Sequence, residues 1–210
     1  LSVLVVEEAK ALVLNLSKPE RVLEAIPTAK PHTIKGTPVV VTPHRIDEVK
    51  ILKNLGIDAP SPILHYYDWP GPFTPYDHQK QTAAFLTMHH RGLVLNEIGT
   101  GKTQSALWAA DYLIQTKKVK KVLIISPLST LERVWGDGIF TGLVNRKFVT
   151  LHGTSARRLK LLKTDADFYI INHDGFSIIS KEASGMFDLV IVDEAAVLRN
   201  PSTTRFKVFR

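Results

Sequence analysis

Two kinds of hydrophobic patterning divide the chain. Up to Trp69 the apolar positions fall in short, mixed runs, and beyond Pro75 near-continuous apolar runs alternate with helical stretches. In the first part, Ser2–Val6 and Ala11–Leu16 lie around a charged Glu7–Lys10 break, which predicts a strand pair. Ser17-Lys18-Pro19-Glu20 carries a capping Ser, a first-turn Pro and a Glu placed to close a capping box, and predicts a short helix ending near Ile26. His32–Lys35 and Pro38–Thr42 flank Gly36-Thr37, with Gly at the first central position of a tight hairpin turn. Thr42-Pro43 opens a second helix with Ile46, Val49, Ile51 and Leu52 on its apolar face and Gly56 as a left-handed cap. Pro60, Pro62, Pro70, Gly71, Pro72 and Pro75 then break helix and central strand alike. The boundary is expected near Trp69–Gly71, with a small α+β accessory domain over 1–70 and a larger domain over 71–210.

The second part reads as Asp77–His90 helix, Gly92–Asn96 short buried strand, Lys102–Thr116 helix and Lys121–Ser126 strand. Ser129–Phe140 is partly helical, Lys147–His152 a strand, Ala156–Lys163 a helix, Phe168–Asn172 a strand and Leu189–Val192 the most apolar strand. Strands of this kind alternating with helices predict an α/β domain with a mainly parallel sheet covered by helices on both faces. Ligands in such sheets sit outside the carboxyl ends of the strands.

The formal net charge is +7, and Lys/Arg and Asp/Glu balance within residues 1–70, so the excess lies in the larger domain. That excess fits a polyanionic partner, nucleic acid above all, because Lys and Arg release condensed counterions on binding phosphate. A solvated basic surface is the plainer reading of charge alone. The absence of cysteine excludes a disulfide framework, a Cys-based zinc site and a thiol nucleophile, and suits a reducing cytosol. A cytoplasmic location, nucleoid-associated or in a host cytoplasm, is expected. Apolar runs such as Phe187–Val192, with Asp188 inside it, are far too short to span a bilayer, and Glu7, Glu8 and Lys10 argue against a leader at the start, so no membrane partner is expected. The chain opens on Leu1 and stops at Arg210 in mid-pattern, and a fragment of something longer is expected.

Asn96-Glu97-Ile98-Gly99-Thr100-Gly101-Lys102-Thr103 follows one predicted strand and opens a helix. Gly99 and Gly101 let the backbone wrap so that successive N–H groups point at phosphate oxygens, and the helix N-terminus adds its dipole. Lys102 is placed to reach the β- and γ-phosphates of ATP, and Thr103 to offer its hydroxyl to Mg²⁺. Asn96 stands where the pattern G-x-x-x-x-G-K-S/T has its first Gly, and the Gly-x-Gly-Lys-Thr heart is intact. Downstream, Asp188-Leu189-Val190-Ile191-Val192-Asp193-Glu194 is a buried strand ending in two carboxylates. Asp193 is placed to hold the Mg²⁺ that Thr103 also touches, and Glu194 to orient and deprotonate the attacking water. Taken singly, each motif also has a plainer reading, a Gly-rich turn and a charged helix cap.

Together these motifs resemble the superfamily-two helicases, and more narrowly their Swi/Snf-like branch. Asn96–Thr103 is similar to that branch's Asp-Glu-Met-Gly-Leu-Gly-Lys-Thr, and Ser126-Pro127-Leu128-Ser129 with Trp135 to its Pro-Leu-Ser…Trp segment. Asp193-Glu194-Ala195-Ala196-Val197-Leu198-Arg199-Asn200-Pro201-Ser202 is similar to its Asp-Glu-Ala-His-x-Leu-Lys-Asn-Pro-Ser. The resemblance implies a RecA-like P-loop lobe that binds ATP and Mg²⁺ through Gln79, Gly99, Thr100, Gly101, Lys102 and Thr103, with Gln79 reading the adenine edge and Phe73 or Tyr76 packing on the base. It also implies that Lys102 and Glu194 are catalytic and that Asp193 and Thr103 hold the metal. Ser126, Pro127, His152, Gly153, Asn172 and His173 fall where the family contacts nucleic acid; for the two histidines a structural loop hydrogen bond is an equal alternative. His89-His90 reads as the wet end of a helix. Ala196 departs from the family's His or Asp.

The function so implied is the ATP-binding lobe of a DNA-dependent ATPase that moves along or remodels duplex or branched DNA. Its expected partner is a second RecA-like lobe of the same polypeptide, which supplies transition-state arginines. Alone, this lobe is expected to bind ATP–Mg²⁺ weakly and hydrolyse it poorly. A motor subunit of a restriction-type nuclease and a nucleotide-dependent binding module without motor activity are the alternatives. The front domain is loosely similar to small substrate-recognition domains of annealing helicases and is either a DNA-docking module, through Lys30, Lys35, His44 and Arg45, or a brace for the motor lobe.

Overall fold

The computed structural model describes residues 2–200, 202, 203, 206 and 207; Pro201, quoted above within the Asn-Pro-Ser stretch, lies outside them. The chain forms two units, Leu1–Asp68 with Lys80–Leu93, and Trp69–Gln79 with Val94–Arg210.

The first unit is built on an antiparallel sheet of β1 (Ser2–Val6), β2 (Ala11–Asn15), β3 (Lys30–Ile34) and β4 (Thr37–Pro43), in the order β1-β2-β4-β3. Alternation leaves Leu12 and Leu14 of β2 and Val40 and Thr42 of β4 buried, the pattern of a sheet with one covered face. Helices α1 (Glu20–Ala25) and α2 (Ile46–Asn54) contribute the buried Val22, Ile46, Val49 and Leu52. A short α3 (Ile63–Tyr66) interrupts the proline-rich stretch, starting at Pro62, whose fixed φ suits a first turn.

Three local expectations are corrected. The β3–β4 register pairs Ile34 with Thr37, so the turn centres on Lys35-Gly36 with φ of 48° and 79°. Both central residues are left-handed, the geometry that matches strand twist, and Gly36 occupies the second position. No side chain caps α1: Pro19 is already helical, and its carbonyl accepts from Val22 and Leu23, so Ser17 stands too early. Thr42-Pro43 ends β4, paired with Leu12 and Ala11, and α2 begins after Arg45. Gly56 is left-handed beyond α2, as expected.

His44 is 2% exposed. Its Nε2–H donates to Pro60 O at 2.8 Å, which leaves Nδ1 to accept from the Tyr66 hydroxyl at 2.9 Å. Around this pair, His65 donates to Glu7 at 2.7 Å and the Lys10 ammonium lies over the Tyr66 ring.

The second unit holds a four-stranded, wholly parallel sheet of β5 (Val122–Ser126), β6 (Phe148–Thr150), β7 (Phe168–Asn172) and β8 (Leu189–Val192), in the order β6-β7-β5-β8. β5 is buried throughout and β7 up to Asn172. Leu123, Ile125, Tyr169 and Ile171 pack on one face with Leu162 of α7 (Ser155–Leu162) and Ile179 of α8 (His173–Ile179). A wide π-helical turn, Leu131–Gly136, packs on β6 and β7, and α6 (Asp137–Gly142) packs on α5 (Lys102–Gln115). Arg146 donates to the buried Asp111 of α5 at 2.5 Å and lies 3.9 Å from Asp167, joining helix and sheet edge.

Helix α4 (Asp77–Met88) forms as predicted, but the strand expected at 92–96 does not. The apolar run is present, yet no strand pairs with it among the described residues, and Leu95 is 83% exposed. A strand needs a neighbour's hydrogen bonds as well as apolar residues. Nine-residue α2 and the α/β alternation of the second unit otherwise follow the sequence reading.

Burial pushes the His44 pKa below its ordinary 6.5, with the Pro60 carbonyl and Glu7 opposing and His65 reinforcing. Below pH 6.5 the unfolded chain therefore takes up a proton that the folded one resists. Stability is full above that pH and falls as pH drops through the window down to the folded value. Urea unfolding at about pH 7.5 and about pH 5 is expected to show this loss, and His44→Gln to flatten it.

Candidate functional site

The glycine loop takes its shape from two left-handed positions, Gly99 at φ 81° and Gly101 at φ 75°. Gly101 caps α5, and the first bond to its carbonyl comes from Ser105 N–H, so the preceding N–H groups stand at the helix's open end. Thr100 Oγ1 donates to Glu97 O at 2.8 Å. The Lys102 ammonium folds over the same loop and donates to Asn96 O at 2.9 Å and Glu97 O at 2.7 Å.

The start of α4 is tied to this loop. Gln79 Oε1 accepts from Tyr76 N–H at 3.0 Å, and Gln79 Nε2 and His78 Nε2 donate to Thr100 O at 3.3 Å and 3.1 Å. A Cβ on Gly101 would run into Gln79 Nε2 and push that side chain aside, while the φ of 75° strains any residue but glycine. Phe73 and Tyr76 are both exposed, and Tyr76 stacks on His78 with ring centroids 5.6 Å apart.

Parallel register sets the carboxyl ends of the strands side by side. Ser126 pairs with Asn172, and Asp193 N–H continues the ladder to Ile125 O at 2.8 Å. Asp193 Oδ1 accepts from the Glu194 N–H at 3.0 Å and Oδ2 from the Trp135 indole N–H at 3.0 Å. Glu194 is exposed and left-handed, at φ 50° and ψ 48°. Ala196 is also exposed, in a short 3₁₀ turn, Ala195–Leu198. Beyond it Asn200 Oδ1 accepts from both the N–H and the hydroxyl of Ser202.

The remaining candidates separate by burial. His152 and Gly153 are exposed, with Gly153 at φ 107°. Ser126 is fully buried, Pro127 partly so. Asn172 Oδ1 accepts from Arg158 at 2.9 Å. His173 is buried and donates Nε2–H to the Asp193 carbonyl at 2.9 Å, a structural hydrogen bond. Sequence reading had no role for Arg158, nor for the Trp135 bond to Asp193. Arg158 carried a signal, a charge on the face of α7 that also buries Leu162 four residues on; the Trp135 bond, spanning 58 residues, had none.

A glycine loop at the head of a helix and an acidic pair at a strand end, on a parallel sheet, define a nucleotide-binding lobe of RecA-like type. The SNF2-related domain family matches residues 77–210, and the chain belongs to that family. It is the N-terminal lobe of a Swi/Snf-like superfamily-two protein. Among solved structures the chain is similar to the SWI2/SNF2 ATPase core of Sulfolobus solfataricus in complex with dsDNA, at 19% identity and a TM-score of 0.57. That match covers 67% of this chain and 30% of the other, and at that identity it speaks for the fold alone. No curated protein matches the sequence.

Gly101→Ala is expected to lower stability by about 1–2 kcal/mol through the left-handed strain of a Cβ, read by urea unfolding. Displacement of Gln79 is expected to weaken adenine-nucleotide binding by about tenfold or more, read by titration with a fluorescent ATP analogue.

Proposed function

We propose that the chain is the ATP-gripping lobe of a DNA-stimulated ATPase that translocates along or remodels duplex DNA. The observation that carries this reading is the presence in one unit of both the Gly99–Thr103 loop, at the open end of α5, and Asp193-Glu194, directly after β8. Lys102 exchanges its loop carbonyls for the β- and γ-phosphates, and the N–H groups around Gly101 take the phosphate oxygens. The Thr103 hydroxyl and the Asp193 carboxylate are hard oxygen donors, and a site with one or two carboxylates plus phosphates is what Mg²⁺ prefers. Asp193 already accepts two N–H donors and keeps lone pairs for a cation, so these residues fit the metal. Thr103 and Asp193 would hold the Mg²⁺, and the chemistry supplied there would be neutralisation of charge on the transferred phosphoryl group. Glu194 orients the attacking water and takes its proton. Gln79, joined to Thr100, supports adenine recognition, with Phe73 or Tyr76 available to pack on the base.

For nucleic acid, the exposed His152-Gly153 loop and the neighbouring strand ends with Ser126, Pro127, Asn172 and His173 form the proposed track for a phosphate backbone, contacts that position without reading sequence. Its duplex character is supported by the dsDNA in the Sulfolobus structure. Ser126 and His173, being buried, serve this track by shaping it. A second RecA-like lobe of the same polypeptide is the proposed partner that supplies transition-state arginines. Among the described residues no helix is long and apolar enough to cross a membrane, and a cytoplasmic location is proposed. In the front unit, His44 is withdrawn from the DNA-docking set because both ring nitrogens are engaged in a buried site, whereas Lys30, Lys35 and Arg45 are exposed.

In the intact protein, Glu194→Gln is expected to lower turnover by about 100-fold or more while nucleotide still binds. Lys102→Ala is expected to weaken ATP binding by about 10- to 100-fold. Equal turnover in wild type and Glu194→Gln would remove the general-base role. Because residues 80–93 cluster with the front unit, its DNA role is best tested by joint Lys30→Ala, Lys35→Ala and Arg45→Ala substitution. A several-fold loss of forked-DNA affinity that shrinks with added salt is expected for docking, and unchanged affinity would leave the unit as a brace.

A further inference from the structure

One buried cation takes no part in the chemistry above. Arg158 lies on α7 and is 8% exposed. Its Nε–H donates to Gly153 O at 2.9 Å, and Nη1 donates to Leu151 O at 2.7 Å and Asn172 Oδ1 at 2.9 Å. Among the described residues no carboxylate pairs with it. A buried guanidinium without a counter-charge is destabilising, and an apolar side chain would fill the place without that penalty. Packing alone therefore does not account for an arginine here.

Its geometry does. The planar fork grips the loop after β6 with two donors and the end of β7 with a third, an arrangement a lysine point charge cannot reproduce. Gly175 of α8 makes the room: a Cβ there would run into both Arg158 Nη1 and Asn172 Oδ1. Asn172 is followed directly by His173, whose Nε2–H holds the Asp193 carbonyl at 2.9 Å. The Asp193 carboxylate is held in turn by Trp135. The exposed Gly153 loop and the acidic pair are thus joined by three side chains and no gap longer than a hydrogen bond.

We propose that Arg158 is a positioning residue that ties the His152–Gly153 loop to Asn172-His173 and, through His173, to Asp193. A DNA backbone seated on the loop is thereby felt at the carboxylate pair. The inference rests on the DNA-stimulated ATPase reading. It differs from a purely structural role in one respect: breaking the tie uncouples DNA from the carboxylates without abolishing either binding event.

The test uses the intact protein labelled with fluorotryptophan, with the Trp135 resonance assigned by its loss in Trp135→Phe. Duplex DNA is expected to shift that resonance in the wild type. In Arg158→Lys and in Gly175→Ala the same DNA is expected to bind within about threefold of wild type, leave the resonance in place and stimulate turnover about tenfold less, with the basal rate unchanged. A resonance that moves equally in wild type and both variants overturns the proposal, as does one that never moves in the wild type. Loss of DNA binding itself in both variants also overturns it, because Arg158 would then be a direct contact. Wild type that binds DNA without any stimulation of turnover overturns the functional reading instead, and the tie then stands or falls on the Trp135 shift.

Discussion

The parallel pairing of β5 with β7 on one side and β8 on the other governs everything at the head of the second unit. Because β5 and β7 share one register, Ser126 and Asn172 end level with each other, and the ladder from Ile125 to Asp193 brings β8 out beside them. Almost fully buried side chains on β5 and β7 hold that register, since a one-residue slip would turn each of them to the opposite face. Once the strand ends are level, short hydrogen bonds suffice to connect them. His173 reaches Asp193, Arg158 reaches Asn172, and Trp135 reaches Asp193 from the π-helical turn.

The glycine loop is organised differently. It is placed by helices rather than by a strand end: α5 supplies its open N-terminus, and the start of α4 supplies Gln79 and His78 against Thr100. Residues 92–96 enter the loop outside any strand, with Ile98 fully exposed at its tip. The two halves of the proposed ATP site thus have unlike supports, one a ladder to the buried β5 and the other side-chain bonds to the loop's own carbonyls.

That difference also marks where the sequence was legible. β5, β7 and β8 were readable because each is an apolar run, and the motifs at their ends could be placed from the run that precedes them. The burial expected of β8 does not hold: it ends the sheet order beside β5 alone, and Val190 is 48% exposed. The same reasoning misread 92–96, since an apolar run reports what a segment could bury and not whether a neighbour is there to pair with it. The β3–β4 turn was displaced by one residue because Lys35, unlike Gly36, gives no sign of a left-handed backbone; only the pairing of Ile34 with Thr37 reveals it. Helix α8 was missed because it begins on the very motif residues, Asn172-His173, that were read as a strand end. The site residues themselves were legible from spacing, whereas the bonds that orient Asp193 join segments distant in sequence and leave no local trace.

Glu194 deserves its place in the Asp193-Glu194 pair for a reason beyond its charge. A side chain held at φ 50° and ψ 48° stores about 1–2 kcal/mol, a few times thermal energy. Asp193 is anchored by a ladder bond, an indole and an imidazole, while Glu194 is exposed and sits on the strained link. The junction therefore sets a strained residue directly after an anchored one. Two adjacent carboxylates thus differ in support: Asp193 is bonded from three directions, while Glu194 is exposed on a left-handed backbone.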